Sequence, residues 1–330
     1  MKRVMYVSSA TAPMIQSELD ALGEVSARNN ARVGVTGMLI SAREFFFQLL
    51  EGEAQVLNPL LARIQNDPRH SDLRWLKVEE GVDERVFPEW SMKTVRLDAP
   101  QNAILEAVRY MLEQIASSHR IIERYTQPSV VRSVAANHNP LLLPVRRVER
   151  IILFVDLVGY TQLAARFSVE VVADTLNRFL EVASVAISEE GGTVSKYIGD
   201  CVMAYFDASD AHAATRACER ILSGVQTLRE DPFATEAVRS LRCSIGMAAG
   251  EVMEGNIGSS VKLDYTVIGD AVNLAARLEG LTRALGVPIV VDARVAARAG
   301  EQYVALGTQA VRGLAEPVPT YTLREYAPQR

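Results

Sequence analysis

An almost uninterrupted apolar run, IILFV at residues 151–155, ends in Asp156 and is the feature that most restricts the fold of this chain. A strand with apolar residues on both faces is typical of the centre of a sheet that is covered on both sides. The turn LVGYT follows, and a helical stripe begins near residue 171. The pattern predicts a central strand that presents a carboxylate at its end, followed by a turn into a long helix.

A second carboxylate lies in the stretch SKYIGDCVMAYF at residues 195–206, where Gly199-Asp200 separates two apolar runs. Taken alone, a Gly-Asp pair in this position is a hairpin turn, since both residue types tolerate turn geometry. If the hairpin lies beside the strand that ends at Asp156, the two carboxylates can hold a metal. We therefore predict that Asp156 and Asp200 bind two Mg²⁺ (or Mn²⁺) ions roughly 3.5–4 Å apart, the arrangement used for phosphoryl transfer.

A third candidate element is the segment YTVIGDAVNLAARLE at residues 265–279. Asn273 and Arg277 are four residues apart in the helix predicted for residues 271–285, so they share one helix face. An arginine beside two metal-binding aspartates can stabilise charge on a transferring phosphate. A surface salt bridge is the alternative interpretation, and it would be preferred if Arg277 stood alone.

The first hundred residues alternate strand and helix in the order β-α-β-β-α-β-β. Strands are predicted at residues 2–8, 33–40, 44–50, 73–78 and 91–97, with helical stripes at 15–25 and 56–64. This order predicts one sheet with its helices on one face, a ferredoxin-like α+β layout. From residue 149 the alternation resumes, with further strands near residues 241–249, 263–268, 289, 304 and 321 and a helix at about 210–229.

Several polar residues of the N-terminal segment are candidates for a binding site, although each also has a simpler structural interpretation. Gln48 is in phase with apolar neighbours on its strand, where an amide needs hydrogen-bond partners. Asn29 and Asn30 lie near the end of the first predicted helix, and a helix C-cap is the simpler interpretation. Arg63 and Asp67 are four residues apart near the end of the second helix, and an ion pair is the simpler interpretation.

Residues 104–125 carry a different pattern, in which seven positions are spaced 4-3-4-3-4-3. These positions are Ile104, Val108, Met111, Ile115, Ser118, Ile122 and Tyr125. A period of 3.5 residues favours a two-stranded, parallel coiled coil, whereas the alternative is a single helix lying on a domain. Residues 127–146, with three prolines, are interpreted as an irregular linker, and the basic residues Arg146, Arg147 and Arg150 as its solvated end.

Composition excludes several classes of function. The net charge of −5 argues against nucleic acid as the main partner. No apolar stretch approaches the roughly 18 residues that a membrane span needs, and the N-terminus has no signal-peptide core. Cys201, Cys218 and Cys243 follow no metal-binding spacing and are expected to be buried free thiols. We expect a cytoplasmic protein that binds neither membrane nor nucleic acid.

The motifs FVDLVGYTQL, SKYIGDCVMAYF, GEVMEGNIGS and YTVIGDAVNLAARLE occur in the order that resembles the class III nucleotidyl cyclase catalytic domain, over about residues 149–325. The resemblance implies that Asp156 and Asp200 bind the metals. It implies that Asn273 orients the ribose and that Arg277 stabilises the transition state. In that family each site forms between two catalytic domains, so a chain with every role implies a homodimer with two complete sites.

The same resemblance gives the base-reading pair. Lys196 and Thr266 match the residues that read adenine, whereas a GTP-reading relative usually carries Glu at the position of Lys196. The resemblance therefore implies an adenylate cyclase, which converts ATP to 3′,5′-cyclic AMP and pyrophosphate. A guanylate cyclase is the alternative within the same enzyme class.

The motifs TGMLIS, FFFQLLEGE, DPRH and FPEWSMK resemble the BLUF family of blue-light sensors, over about residues 1–98. The resemblance implies a bound flavin, FMN or FAD, with Tyr6 and Gln48 as the photoactive pair. Trp90 also belongs to the matching pattern. Further contacts with the flavin ring or its ribityl-phosphate tail are implied for Asn29, Asn30, Arg63, Asp67 and Met92.

Together the resemblances predict an α+β chain of three parts: a ferredoxin-like BLUF domain at 1–98, a coiled-coil helix and linker at 99–146, and a ferredoxin-like cyclase domain at 147–328. The expected function is a blue-light-activated adenylate cyclase, a phosphorus–oxygen lyase. The expected assembly is a parallel homodimer through helix 101–126 and the cyclase domains. A flavin photosensor whose cyclase half is only an interaction domain is the alternative from another class, and Asp156, Asp200, Asn273 and Arg277 argue against it.

Overall fold

The computed structural model describes residues 1–12, 15–42, 45–97, 103–136 and 138–328. The chain divides into two compact units, Met1–Leu142 and Leu143–Arg330. Both units combine a sheet with helices, so the predicted α+β class is confirmed.

Among the residues that the structure describes, the N-terminal unit contains five strands and four helices. In chain order these are β1 (Lys2–Ala10), α1 (Gln16–Val33), β2 (Thr36–Ala42), β3 (Phe45–Gly52), α2 (Ala54–Gln65), β4 (His70–Glu80), β5 (Lys93–Arg96), α3 (Ala103–Tyr125) and α4 (Pro128–Ala135). A single 3₁₀ turn follows at Pro140–Leu142. The strands form one sheet in the order β4-β1-β3-β2-β5, in which only β2 and β5 run parallel.

The two faces of this sheet pack against different helices. Tyr6 and Leu50 share one face with the apolar residues of α2, and Phe46 of the same face packs against Leu19 of α1. The opposite face carries Phe47 and packs against Ala116 of α3. Alternation of side chains along the strands explains this division, because neighbouring residues point to opposite faces. The helices α1 and α2 lie on one face as predicted, and α3 covers the other.

The surroundings of α3 show that part of the coiled-coil interpretation is wrong. Val108, assigned to the coiled-coil seam, is half-buried against the core of the N-terminal unit, in the same apolar cluster as Ala116. The side chain of Ile104 lies outside the described residues. The seam positions Met111, Ile115 and Tyr125 are 50% exposed or more, so they remain available on the outer face of the helix.

Up to residue 328, where the described part of the chain ends, the C-terminal unit contains eight strands and six helices. In chain order these are β6 (Arg146–Leu157), α5 (Tyr160–Arg166), α6 (Val169–Glu189), β7 (Thr193–Ile198), β8 (Cys201–Asp207), α7 (Ala211–Glu230), α8 (Glu236–Arg239), β9 (Cys243–Gly258), β10 (Leu263–Ile268), α9 (Asp270–Leu285), β11 (Ile289–Asp292), α10 (Ala293–Ala299), β12 (Tyr303–Gln309) and β13 (Val318–Leu323).

These strands form one sheet in the order β12-β13-β11-β9-β6-β8-β7, and β10 pairs with the distal half of β9. The strand β6 is central, as its apolar run predicts. Ile151 and Leu153 contact the layer of α6 and α7 on one face, and Ile152 and Phe154 contact α9 on the other. Burial on both faces accounts for the uninterrupted apolar sequence.

Several predicted boundaries are wrong for identifiable reasons. The helix α1 extends through Asn29 and Asn30 to Val33 and ends where Gly34 adopts a left-handed φ of +70°, so the strand begins at Thr36. The last strand of the N-terminal sheet is shorter than the predicted 91–97, because β5 covers only Lys93–Arg96. Residues 128–135 of the supposed linker form α4.

Two further expectations need correction. Arg146, Arg147 and Arg150 are not a solvated linker, because all three lie in β6. Cys218 is buried as a free thiol, but Cys201 is only partly buried. None of the helices in the described part of the chain combines the length and apolar character needed to cross a bilayer.

Candidate functional sites

The first candidate site lies at the end of β6. The hairpin between β7 and β8 turns through Gly199, with φ +66°, and Asp200, so the predicted turn is confirmed. Burial raises the pKa of the Asp156 carboxyl, and the charges of Asp200 and Glu279 add to this effect, so that the pKa reaches about 6 although the backbone amide of Leu157 acts in the opposite direction. The structure therefore brings Asp156 and Asp200 within electrostatic range of each other.

The carboxylate oxygens of Asp156 and Asp200 are suitable ligands for a divalent cation. Carboxylate oxygens are the ligands that Mg²⁺ and Mn²⁺ prefer. The like charges that raise the pKa of Asp156 would favour a cation between them. Among the residues that the structure describes, no group of three or more His, Cys, Asp or Glu side chains is arranged to hold a metal. Asp156 and Asp200 would thus hold an ion only together with ligands from elsewhere, such as phosphate oxygens and water.

A second group of polar residues connects β7 with β10. Thr266 is buried, and its hydroxyl lies 3.3 Å from the hydroxyl of Ser195. Lys196 forms an ion pair with Asp264, with 3.2 Å between Nζ and Oδ2. Asp264 and Thr266 are two residues apart on one strand and point to the same face. The structure thus places the predicted base-reading residues Lys196 and Thr266 on two strands that contact each other through Ser195 and Asp264, which the sequence did not single out.

The helix α9 carries the third group. It packs so closely on β9 that a Cβ atom at Gly246 would lie 2.7 Å from the Cα atom of Glu279, which explains the glycine. Asn273 is exposed and Arg277 is half-buried on this helix. The guanidinium of Arg277 lies beside the backbone of Gly313, where a Cβ atom would approach Nη2 to 3.1 Å. Among the described residues, no ion pair joins Arg277 to Asp156 or Asp200.

The N-terminal unit contains a fourth candidate site, centred on two residues that face each other across β1 and β3. Tyr6 and Gln48 are direct cross-strand partners, and the Tyr6 hydroxyl donates a hydrogen bond to Gln48 Oε1. Burial raises the pKa of Tyr6 above its ordinary value, and the charge of Asp67 adds to the effect, so the phenol stays neutral. The amide nitrogen of Gln48 lies 3.6 Å from the sulfur of Met92.

A cavity of about 90 Å³ lies beside this pair. Its lining includes Gln48, Asn30, Asp67, His70 and Met92, interspersed with leucine and isoleucine side chains. A cleft of about 560 Å³ lies next to it between α1 and the start of β4, and the two share lining residues. Apolar walls with a few polar groups suit a planar ring system with a polar edge, as a flavin has.

The remaining predicted residues of this site lie in different surroundings. Asn29 and Arg63 are exposed and do not line the described cavity. Asp67 pairs with Arg69 rather than with Arg63, and the hydrogen bonds from Arg69 lower its pKa to about 2. Trp90 is 39% exposed and stacks on Phe87 at a centroid distance of 4.8 Å.

Residues that the sequence analysis missed include His70 and Glu254. The ring of His70 lies 5.2 Å from that of Phe46, and its Nδ1 lies 2.8 Å from the Ser8 hydroxyl. Burial lowers the pKa of His70. The DPRH motif contains this histidine, so the signal was present. Glu254 lies in the motif GEVMEGNIGS, but its burial could not be predicted because its partners Arg146 and Arg150 are more than 100 residues away.

Comparison with known proteins identifies the family of each part of the chain. Residues 1–93 match the family described as sensors of blue light using FAD (BLUF), and residues 144–325 match the adenylate and guanylate cyclase catalytic domain. The β subunit of photoactivated adenylate cyclase from Euglena gracilis is 33% identical over 94% of this chain and 36% of its own length. The chain thus spans about a third of the length of the curated relatives it matches.

Solved structures extend the comparison. A bacterial light-regulated adenylyl cyclase is 36% identical and superposes with a TM-score of 0.91 over 98% of this chain and 94% of that one. The adenylyl cyclase CyaB from P. aeruginosa is 28% identical, with a TM-score of 0.50 over 57% of this chain and 98% of that one. The chain therefore belongs to the adenylate and guanylate cyclase catalytic-domain family, and it carries a BLUF domain ahead of the catalytic domain.

Proposed function

We propose that the chain is a blue-light-activated adenylate cyclase that converts ATP to 3′,5′-cyclic AMP and pyrophosphate. The observation that carries this proposal is the pairing of base-reading groups in the C-terminal unit. Lys196 on β7 is a hydrogen-bond donor, and Thr266 on β10 either donates or accepts. Such a pair suits the ring nitrogens and exocyclic amine of adenine. The Euglena and bacterial relatives, which are described as adenylate cyclases, support the same substrate.

In the proposed reaction, the ATP 3′-hydroxyl attacks the α-phosphate and pyrophosphate leaves. Divalent cations would polarise the phosphate and the attacking hydroxyl when bound, and Asp156 and Asp200 would hold them. Asn273 hydrogen-bonds the ribose and so orients the hydroxyl. Arg277 places a fixed positive charge near the phosphate, which stabilises charge that develops in the transition state. Asp264 must release Lys196 when the base enters.

We propose a parallel homodimer as the active form. Two features support it. The seam positions Met111, Ile115 and Tyr125 are apolar and exposed on the outer face of α3, and their heptad spacing is typical of pairing with a second copy of the same helix. In addition, no ion pair joins Arg277 to either aspartate within the described chain, as expected if each site takes its arginine from the partner. The buried thiols Cys218 and Cys243 suit the cytoplasm, where ATP is available.

The proposed light sensor is the Tyr6–Gln48 pair. A bound flavin would supply blue-light absorption and redox chemistry. Tyr6 would supply a proton and an electron to that chemistry, and Gln48 would exchange its donor and acceptor ends within the hydrogen bonds to Tyr6 and Met92. The neighbouring cleft of about 560 Å³ favours FAD over FMN, because it gives room for an adenosine moiety. Asn29 and Arg63 are proposed to contact the tail of the cofactor from the surface.

A single assay tests the function. Purified full-length protein with its bound flavin is given ATP or GTP with Mg²⁺, in the dark and under blue light, and cyclic AMP and cyclic GMP are measured. We expect cyclic AMP production that rises under blue light. Cyclic GMP as the main product would favour the guanylate cyclase alternative. Absence of both products would favour a photosensor with a non-catalytic cyclase-like domain. Chromatography of the released flavin identifies FMN or FAD.

A further inference from the structure

Glu254 is a buried carboxylate of the C-terminal unit that takes no part in the proposed reaction. Glu254 is 2% exposed and accepts hydrogen bonds from three side chains. Arg150 donates from Nη2 at 2.6 Å and from Nε at 3.0 Å, and Arg146 donates from Nη2 at 3.1 Å. The Tyr265 hydroxyl donates to Oε1 at 2.9 Å. Burial alone would raise the pKa of Glu254, but these hydrogen bonds outweigh it and hold the pKa below the ordinary value, so the group is an anion.

The bond to Tyr265 matters because of where this tyrosine lies. Tyr265 belongs to β10, which lies off the main path of the sheet and pairs with the distal half of β9. Val267 on the same face of β10 is buried in the core beneath α9. The backbone pairing with β9 holds β10 along one edge, so the tilt of this strand depends on its side chains. Tyr265 and Val267 are therefore the two inward anchors of β10.

The opposite face of β10 carries the proposed base-reading contacts. Side chains alternate along a strand, so Asp264 and Thr266 point away from the face that Tyr265 anchors. Asp264 pairs with Lys196, and Thr266 lies beside Ser195. A shift of β10 by a few tenths of an ångström would therefore change both contacts at once.

We propose that Glu254 is a positioning residue for base recognition, acting through Tyr265 to fix β10 so that Thr266 and Lys196 meet the adenine ring together. This inference rests on the proposed function, since it concerns the substrate pocket of that reaction. A purely structural ion pair is the simpler alternative, and buried ion pairs often add little net stability. The two interpretations differ in what the loss of the Tyr265 hydroxyl does to substrate choice.

The main test is Tyr265→Phe in the full-length protein, which removes one hydroxyl and keeps the ring. We expect the KM for ATP to rise about fivefold, near the lower end of typical coupling between sites, with kcat nearly unchanged. The ratio of kcat/KM for ATP to that for GTP should fall. Tyr303→Phe is the matched control, because Tyr303 is equally buried and its hydroxyl lies 3.1 Å from that of Thr215, away from β10. This control should keep the wild-type ratio.

A second variant tests whether Glu254 acts through the tyrosine. Glu254→Gln should lower the same ratio, and adding Tyr265→Phe to it should cause no further fall, because both changes break one connection. Additive losses in the double variant would overturn the inference. So would equal losses of kcat/KM for ATP and GTP in Tyr265→Phe, since a structural defect gives that result.

Failure of this inference can be distinguished from failure of the proposed function. A wild-type protein that makes neither cyclic nucleotide refutes the function, and the inference is then tested by calorimetric titration of ATP and GTP. Weaker ATP binding in Tyr265→Phe but not in Tyr303→Phe supports the role of the anchor. If the wild type is active and Tyr265→Phe keeps its KM and its nucleotide preference, the positioning role is wrong and the function stands.

Discussion

Replacing Asp156 by Asn is expected to stabilise the metal-free protein while it abolishes turnover. The folded chain raises the pKa of this carboxyl from 3.8 to about 6, through burial and the charges of Asp200 and Glu279. A shift of about two units corresponds to about 3 kcal/mol against the charged form. Because the carboxylate is only half-buried, solvent screening reduces this value, and we expect about 1–3 kcal/mol at pH 8.

The pH dependence has a definite sign. The folded-state pKa lies above the unfolded value, so the metal-free wild type loses stability as pH rises from about 4 to about 6, and the loss is complete above that range. The Asn side chain does not titrate. The stability advantage of Asp156→Asn should therefore be about half as large at pH 5 as at pH 8.

Urea unfolding of chelator-treated protein at the two pH values measures this difference. Asp174→Asn is the control, since Asp174 is an exposed carboxylate in an i,i+4 pair with Arg178 and should change stability by less than about 0.5 kcal/mol. Addition of Mn²⁺ should stabilise the wild type and leave Asp156→Asn unchanged. A variant that is no more stable than wild type at pH 8, or that still responds to Mn²⁺, would refute the reasoning.

Three further predictions follow from the other sites. Tyr6→Phe should keep bound flavin and dark activity but lose both the light-induced red shift of the flavin absorption and the activation of turnover; full activation under blue light would contradict the proposed sensor. Lys196→Glu combined with Thr266→Gly should move the preference from ATP towards GTP, as measured by kcat/KM for each nucleotide, and an unchanged ratio would mean that these residues do not read the base. Asparagine at both Ile115 and Ile122 should weaken dimerisation and turnover together, and sedimentation of an active monomer would exclude the α3 seam.

The sequence predicted the features whose cause is local. An apolar run on both faces requires a central strand, and β6 is central. A Gly-Asp pair between two strand-like runs requires a tight turn, and Gly199 adopts the left-handed φ that such a turn needs. In the N-terminal unit, the phase of Gln48 within β3 placed its amide on the face where Tyr6 lies opposite.

Features that depend on residues far apart in the sequence could not be predicted in the same way. Glu254 and Arg150 are 104 positions apart, and neither residue type indicates burial, so the ion pair appears only once β6 and β9 are aligned. Asp264 would have been found by applying strand alternation to Thr266, since the two are on the same face. The end of α1 was misplaced because two asparagines suggested a cap, whereas Gly34 supplies it.

The helix α3 shows why a periodic pattern does not by itself identify one partner. Ala116 and Val108 face the sheet of the N-terminal unit, and Ile115 faces outward, so two apolar stripes run along one helix. The heptad spacing follows the outer stripe, but it also includes Val108, which belongs to the inner stripe. The inner stripe contacts Phe47, which is adjacent to Gln48 but points to the opposite face of β3. Because packed interiors transmit small displacements, a change at Gln48 that moves Phe47 must be accommodated by the helix whose outer face carries the predicted seam.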